Sequence, residues 1–194
     1  MKHGATPGDL VNHEQAVQSV RRWVETLVVG MNLCPFAKRE LAKNSVRFAS
    51  TTSITEEQLL MALQTELELL DADPSVETTL LVHPGVLQDF YDYNRFLSYA
   101  DSLLVEMGLE GIYQIASFHP EYQFDGTRRN DAENYTNRSP YPLLHLIREA
   151  SLDRAIANYP EVDQIPVRNI ALMKRLGEDR LKALLRSCLN QSDP

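Results

Sequence analysis

Two β-favouring runs in this chain, 78–82 and 112–118, stop at the same dipeptide, His83-Pro84 and His119-Pro120, with one long amphipathic stretch between them. No other feature constrains the fold as tightly. In the intervening stretch Tyr93, Phe96, Leu97, Ala100, Leu103, Leu104 and Met107 recur at helical spacing, and Gly108 suits the end of that helix. Strands joined by a crossover helix are expected to run parallel, with a right-handed connection.

The same alternation holds upstream. Asn12 with Gln15 reads as a capping box ahead of Val17, Val20, Val24, Leu27 and Val28, with Gly30 at the C-terminal turn. Pro35 opens a short second helix that places Cys34 at its cap. Residues 45–49 read as a strand, and Ser53 with Glu56 caps a helix carrying Leu60, Leu63, Leu67 and Leu70 on one face. Asp73-Pro74 breaks that helix.

Beyond His119-Pro120 the periodicity disappears. Residues 121–139 are rich in Asn, Asp, Arg and Tyr, and so long a stretch without structure of its own is usually functional or disordered. Tyr122, Phe124, Tyr135 and the nearby Tyr141 argue against simple disorder. Ser139-Pro140 then reads as the start of a helix through Leu143, Leu146 and Ile147 to about Asn158, followed by helical patterns at 170–176 and 178–189. The expected architecture is α/β: a small, mostly parallel sheet of three to four strands with helices packed against it and a helix-rich C-terminal third. One domain is expected over 12–190, with 1–11 as a flexible N-terminal lead-in.

Composition narrows the function classes. Of 194 residues 43% are hydrophobic, enough for a core without staples, and a net charge of −8 argues against the broad positive field that DNA binding needs. Cys34 and Cys188 do not make a disulfide framework, and neither a signal-peptide core nor a run of about 18 apolar residues is present. These points together lead to an expected cytoplasmic protein with no membrane or nucleic-acid partner. Walker and dinucleotide glycine loops, the Gly-x-Ser-x-Gly elbow and Cys-x-x-Cys are all missing, which weighs against the chemistries they serve.

Three candidate clusters remain. In a parallel sheet His83 and His119 fall on the carboxyl edge, where open α/β sheets bind ligands. With Asp125 they would supply two nitrogens and an oxygen to a divalent metal ion; the plainer reading makes each His a strand stop bonded to loop backbone. On the helix expected after Pro140, Tyr141, His145 and Arg148 share a face, and the helix start suits an anion. Arg128, Arg129 and Arg138 precede it, and Asn134 and Asn137 complete a polar run that either binds a small anionic molecule or satisfies loop backbone. Cys34, with Lys38 and Arg39 in the following turn, is a candidate nucleophile or ligand; packing is the commoner role for such a thiol.

The strings 31–37 (MNLCPFA), 117–124 (SFHPEYQF) and 133–142 (ENYTNRSPYP) resemble those of the bacterial domain-of-unknown-function family 1415, and the resemblance covers most of the chain. It implies a self-contained bacterial domain and carries over no catalytic residue, cofactor or substrate. Two functions follow from the residues themselves. The first is an enzyme acting on a small anionic substrate at the carboxyl ends of the strands. There His119 and His83 serve as ligands or acid/base, His145 and Tyr141 assist proton transfer, Cys34 is a ligand or nucleophile, and Arg138 and Arg148 hold the anion. The second is a non-catalytic interaction or ligand-binding module using the Tyr- and Arg-bearing 119–141 loop.

Overall fold

A computed structural model of the chain describes residues 12–189; the expected lead-in, 1–11, and residues 190–194 lie outside them. The elements are α1 (His13–Trp23), a π-helical continuation (Val24–Val29), α2 (Ala37–Ala42), β1 (Val46–Ser50), α3 (Glu56–Ala72), β2 (Thr78–Val82) and α4 (Phe90–Glu106). Then come β3 (Tyr113–Phe118), a 3-10 helix (Ala132–Thr136), β4 (Leu143–Arg148), α5 (Glu149–Ala157), α6 (Gln164–Leu176) and α7 (Glu178–Leu189).

The four strands form one sheet in the order β1-β2-β4-β3. β1 and β2 are parallel, while β4 runs antiparallel to both of its neighbours. β3 therefore points the same way as β1 and β2, as the crossover pattern predicts. The sheet is nonetheless mixed rather than mostly parallel, because β4 is inserted between β2 and β3.

That strand replaces the helix expected from Pro140. Leu143, Leu144 and Leu146 are all fully buried, since β4 is central and covered on both faces. A strand buried on both sides reads as a continuous apolar run, and over so few residues its spacing also fits a helical face. Helix begins only at Glu149. In a strand, neighbouring side chains alternate, so His145 and Arg148 project to opposite faces and the expected Tyr141/His145/Arg148 face does not exist.

One sheet face packs on α3 and α4 through Leu63, Leu67, Tyr93, Phe96, Leu81 and Leu144. The other packs on α1, its π-helical continuation and α7 through Val20, Trp23, Leu27, Leu80, Leu143 and Cys188. A third cluster, Leu33, Tyr135, Met173 and Leu181, ties α6 and α7 to the long loop. Among the described residues no helix is long and apolar enough to cross a membrane.

Local chemistry explains the helix starts. Asn12 Oδ1 accepts from the Gln15 amide at 3.0 Å, as expected. α3 starts two residues later than the Ser53/Glu56 pairing predicts: Thr55 is its cap, accepting from the Gln58 amide at 3.3 Å. Ser53 is buried and bonds Thr51 Oγ1 at 2.7 Å instead. Cys34 is not at the cap of α2 either. Phe36 occupies that position, two residues further on.

Candidate functional site

The expected pair of imidazoles does finish on one sheet edge, but behind walls. His83 and His119 follow β2 and β3, and both are 0% exposed. Tyr93 stands between them, its ring centroid 5.7 Å from His83 and 5.1 Å from His119. The Tyr93 hydroxyl donates to Leu143 O at 2.8 Å and accepts from the Phe118 amide at 3.0 Å, clamping β4 to β3. Phe90 and Tyr122 close the outer side, with Phe90 5.4 Å from His119 and 5.2 Å from Tyr122.

His119 is fully committed. Its Nδ1 accepts from the Glu121 amide at 3.0 Å, so the proton sits on Nε2, which donates to Leu87 O at 3.1 Å. Burial holds its pKa below the ordinary imidazole value. His83 donates from Nδ1 to Val86 O at 3.0 Å, which leaves the lone pair on Nε2 buried and without a partner. Burial, with His119 nearby, pushes the His83 pKa down to about 4. Asp125 is exposed and accepts from the Gly126 amide at 3.0 Å. Among the described residues no three His, Cys, Asp or Glu side chains gather as a metal ion would require, so the expected His83/His119/Asp125 set is not assembled.

Asn134, Asn137, Arg138 and Arg148 are spent largely on backbone, while Arg129 pairs with Glu121. Asn134 is fully buried; its Oδ1 accepts from the Phe124 amide at 3.0 Å and Thr127 Oγ1 at 2.9 Å, and its Nδ2 donates to Arg128 O at 2.8 Å. Asn137 Nδ2 donates to Ser117 O at 3.1 Å. Arg138, 7% exposed, donates to Tyr122 O at 3.1 Å and Arg129 O at 2.6 Å, with its guanidinium 4.6 Å above the Tyr135 ring. Arg148 straps β4 to the end of α3, donating to Val76 O at 3.0 Å, Asp73 O at 3.0 Å, Tyr113 Oη at 2.8 Å and Leu70 O. Cations at a helix C-terminus are favourable, and here they hold structure.

His145 and Tyr141 are elsewhere. His145 Nε2 donates to Thr78 Oγ1 at 2.6 Å, and that hydroxyl passes its own proton to Leu146 O at 2.6 Å. Burial takes the His145 pKa down to about 4. Tyr141 packs against the apolar cluster under α1 and α7, on the sheet face opposite Tyr93.

What the structure does open is a cleft of about 320 Å3 between Met31–Asn32 and α6. Arg168, Leu172 and Arg175 lie at i, i+4 and i+7 on one face of α6, and all three line it. Asn169 Nδ2 donates to Leu33 O at 2.8 Å, fixing the helix to the opposite wall. Asn32 turns that wall with a φ of 55°, a left-handed conformation that Asn tolerates. Arg168 Nη2 donates to Tyr159 Oη at 3.2 Å, and Tyr159 meets Phe36 edge-on at 5.5 Å. Neither Arg168 nor Arg175 has a carboxylate partner among the described residues, whereas their neighbour Lys174 pairs with Glu133 at 2.7 Å. A second cleft of about 360 Å3, under Ile54 and Met61, has no charged residue in its lining.

Sequence reasoning missed Arg168 and Arg175. Their seven-residue spacing was visible, but the helix expected there began at 170, after Arg168. The three strings that carry the family resemblance do meet: Asn137 bonds Ser117, the His119 amide bonds Asn137 O at 3.2 Å, and Leu33 and Tyr135 share the cluster under α6. The sequence model of one protein family, described as "Protein of unknown function (DUF1415)", matches residues 15–183. No curated protein and no solved structure matches the chain.

Proposed function

We propose that this chain, which belongs to the DUF1415 family of proteins of unknown function, binds a small anionic ligand in the cleft between Met31–Asn32 and α6. One observation carries the reading: two arginines without carboxylate partners line a concave surface on a chain whose net charge is −8. Elsewhere the buried arginines are saturated by carbonyls; these two keep donors for a ligand. Guanidinium matches carboxylate or phosphate with paired donors, and a cleft of this size suits a metabolite. The lining residues include no acid, base or nucleophile, which favours binding over chemistry.

Exposed ion pairs are individually weak, so affinity of about 0.1–1 mM is expected. The test is a titration with a panel of small carboxylates and inorganic phosphate, followed by NMR at the Met31 and Ala171 methyls. Saturable shifts are expected at both, and the paired reversal Arg168→Glu with Arg175→Glu should remove them. An unresponsive parent, or a reversed variant that binds as well, ends the reading.

Catalysis on an anionic substrate is the second reading, and the unpartnered His83 Nε2 is the observation that favours it. A reacting group would have to pass Tyr93 and Phe90 to reach that nitrogen. Diethyl pyrocarbonate labelling with peptide mass analysis separates the two readings. His83 is expected to stay unmodified until the chain is unfolded; modification in the native protein would reinstate the catalytic reading.

A further inference from the structure

The positive charge of the α6 cleft is divided between its ends. Arg168 and Arg175 are seven residues apart on one helix, which separates their Cα atoms by about 10 Å along the axis. Between them the wall is mainly Ala171 and Leu172, with Asn169 tied to Leu33 O, and Met31 and Asn32 face them from the other side. The Arg168 guanidinium is also drawn toward Tyr159, which precedes α6 in the chain, by its bond to the tyrosine hydroxyl. Two like charges in water gain nothing by converging, so separate cations over a mostly apolar middle are the favoured arrangement.

A site for one compact anion has the opposite design: donors, backbone amides among them, close around a single point. Here the ends are cationic and the centre is mostly hydrocarbon, Asn169 being committed to Leu33 O. Resting on the anion-binding reading above, we infer that the ligand is an elongated dianion, an α,ω-dicarboxylate whose methylene spacer lies on Ala171, Leu172 and Met31 while its carboxylates meet Arg168 and Arg175. The methylenes gain by leaving water, and the second carboxylate binds at the effective concentration set by the first.

The experiment compares glutarate, adipate, pimelate and suberate with monocarboxylates of the same carbon number, by NMR titration of the intact chain. One diacid length should bind best, about five- to tenfold tighter than its monoacid counterpart. Arg168→Met and Arg175→Met should each bring that diacid down to monoacid affinity. Both side chains are exposed, so unchanged melting curves serve as the folding control. Equal affinity of diacids and monoacids, or of adipate and phosphate, would overturn the dianion inference and leave anion binding standing. No saturable response to any of these compounds would overturn both.

Discussion

Histidine placement sets how this protein meets acid. In the unfolded chain His83 and His145 take up protons near the ordinary value of 6.5, whereas burial keeps both neutral in the folded chain down to about pH 4. The unfolded state therefore binds more protons throughout that window, and stability falls as pH drops from 6.5 toward 4. Each ring accounts for a loss on the order of 3 kcal/mol across the window. Carboxylates enter later. Glu40 is held low against its own burial by hydrogen bonds from Arg39 and Ser45, and Asp73 is held low by Ser75, so both matter only below their ordinary 4.5 and 3.8. Urea midpoints at pH 7, 5.5 and 4.5 should decline steadily for the parent. His145→Gln, whose amide can still donate to Thr78, should show a visibly shallower decline; an identical slope would contradict a neutral His145 in the folded chain. At this scale the sequence was a partial guide. That His83 and His119 share a sheet edge was legible from their strand-end positions, as was the plainer reading that each bonds adjacent loop backbone at Val86 and Glu121, whereas the Leu87 carbonyl at His119 Nε2 is brought in by the fold. Arg138 and Arg148 misled for the same reason, since a guanidinium aimed at carbonyls cannot be told from one aimed at a ligand by residue type.

Among the elements, the join between α1 and the first family string is the most demanding. Bonds from Gly30 N to Glu25 O at 3.0 Å and from Leu33 N to Val28 O at 2.8 Å skip five residues, widening the helix as it ends. Gly30 ends the helix as expected, with an ordinary right-handed φ of −62°. Its role is spatial: a Cβ there would lie 2.2 Å from Thr26 O. Gly30→Ala should lower stability by about 1–3 kcal/mol, read from chemical denaturation, because backbone must shift to admit the methyl. The shift would also move Met31 and Asn32, so the NMR response of the cleft to anions should weaken in the same variant. Full stability would show that the wide turn relaxes at no cost. Most elements were readable because amphipathic stripes such as Leu63, Leu67 and Leu70 leave a periodic trace. β4 was not, because burial on both faces erases the alternation that marks a strand, and the Pro140 beside it imitates a helix start.

For the whole molecule, the strings 31–37, 117–124 and 133–142 act together. The first and third share the apolar cluster beneath α6, and the second and third are stitched by Asn137. The long loop marked as a working region from its polarity also cradles α6, with Tyr135 against Met173 and Glu133 paired to Lys174. The cleft lies beside that cradle, where Met31 and Leu172 touch the same apolar cluster, and sequence reasoning had no handle on such three-dimensional neighbours.

The inserted strand sets a schedule as well as a shape. Val82 and Phe118 both find their partner in Leu143, so two segments made early must wait for a third before any ladder can join them. A ribosome that has released only the first 140 residues holds a pair of parallel strands on one side, a lone strand on the other, and an empty lane between. Pairings that span so much chain are slow to search out, and the exposed flanks of that lane are where a stalled or truncated product would stick to its neighbours.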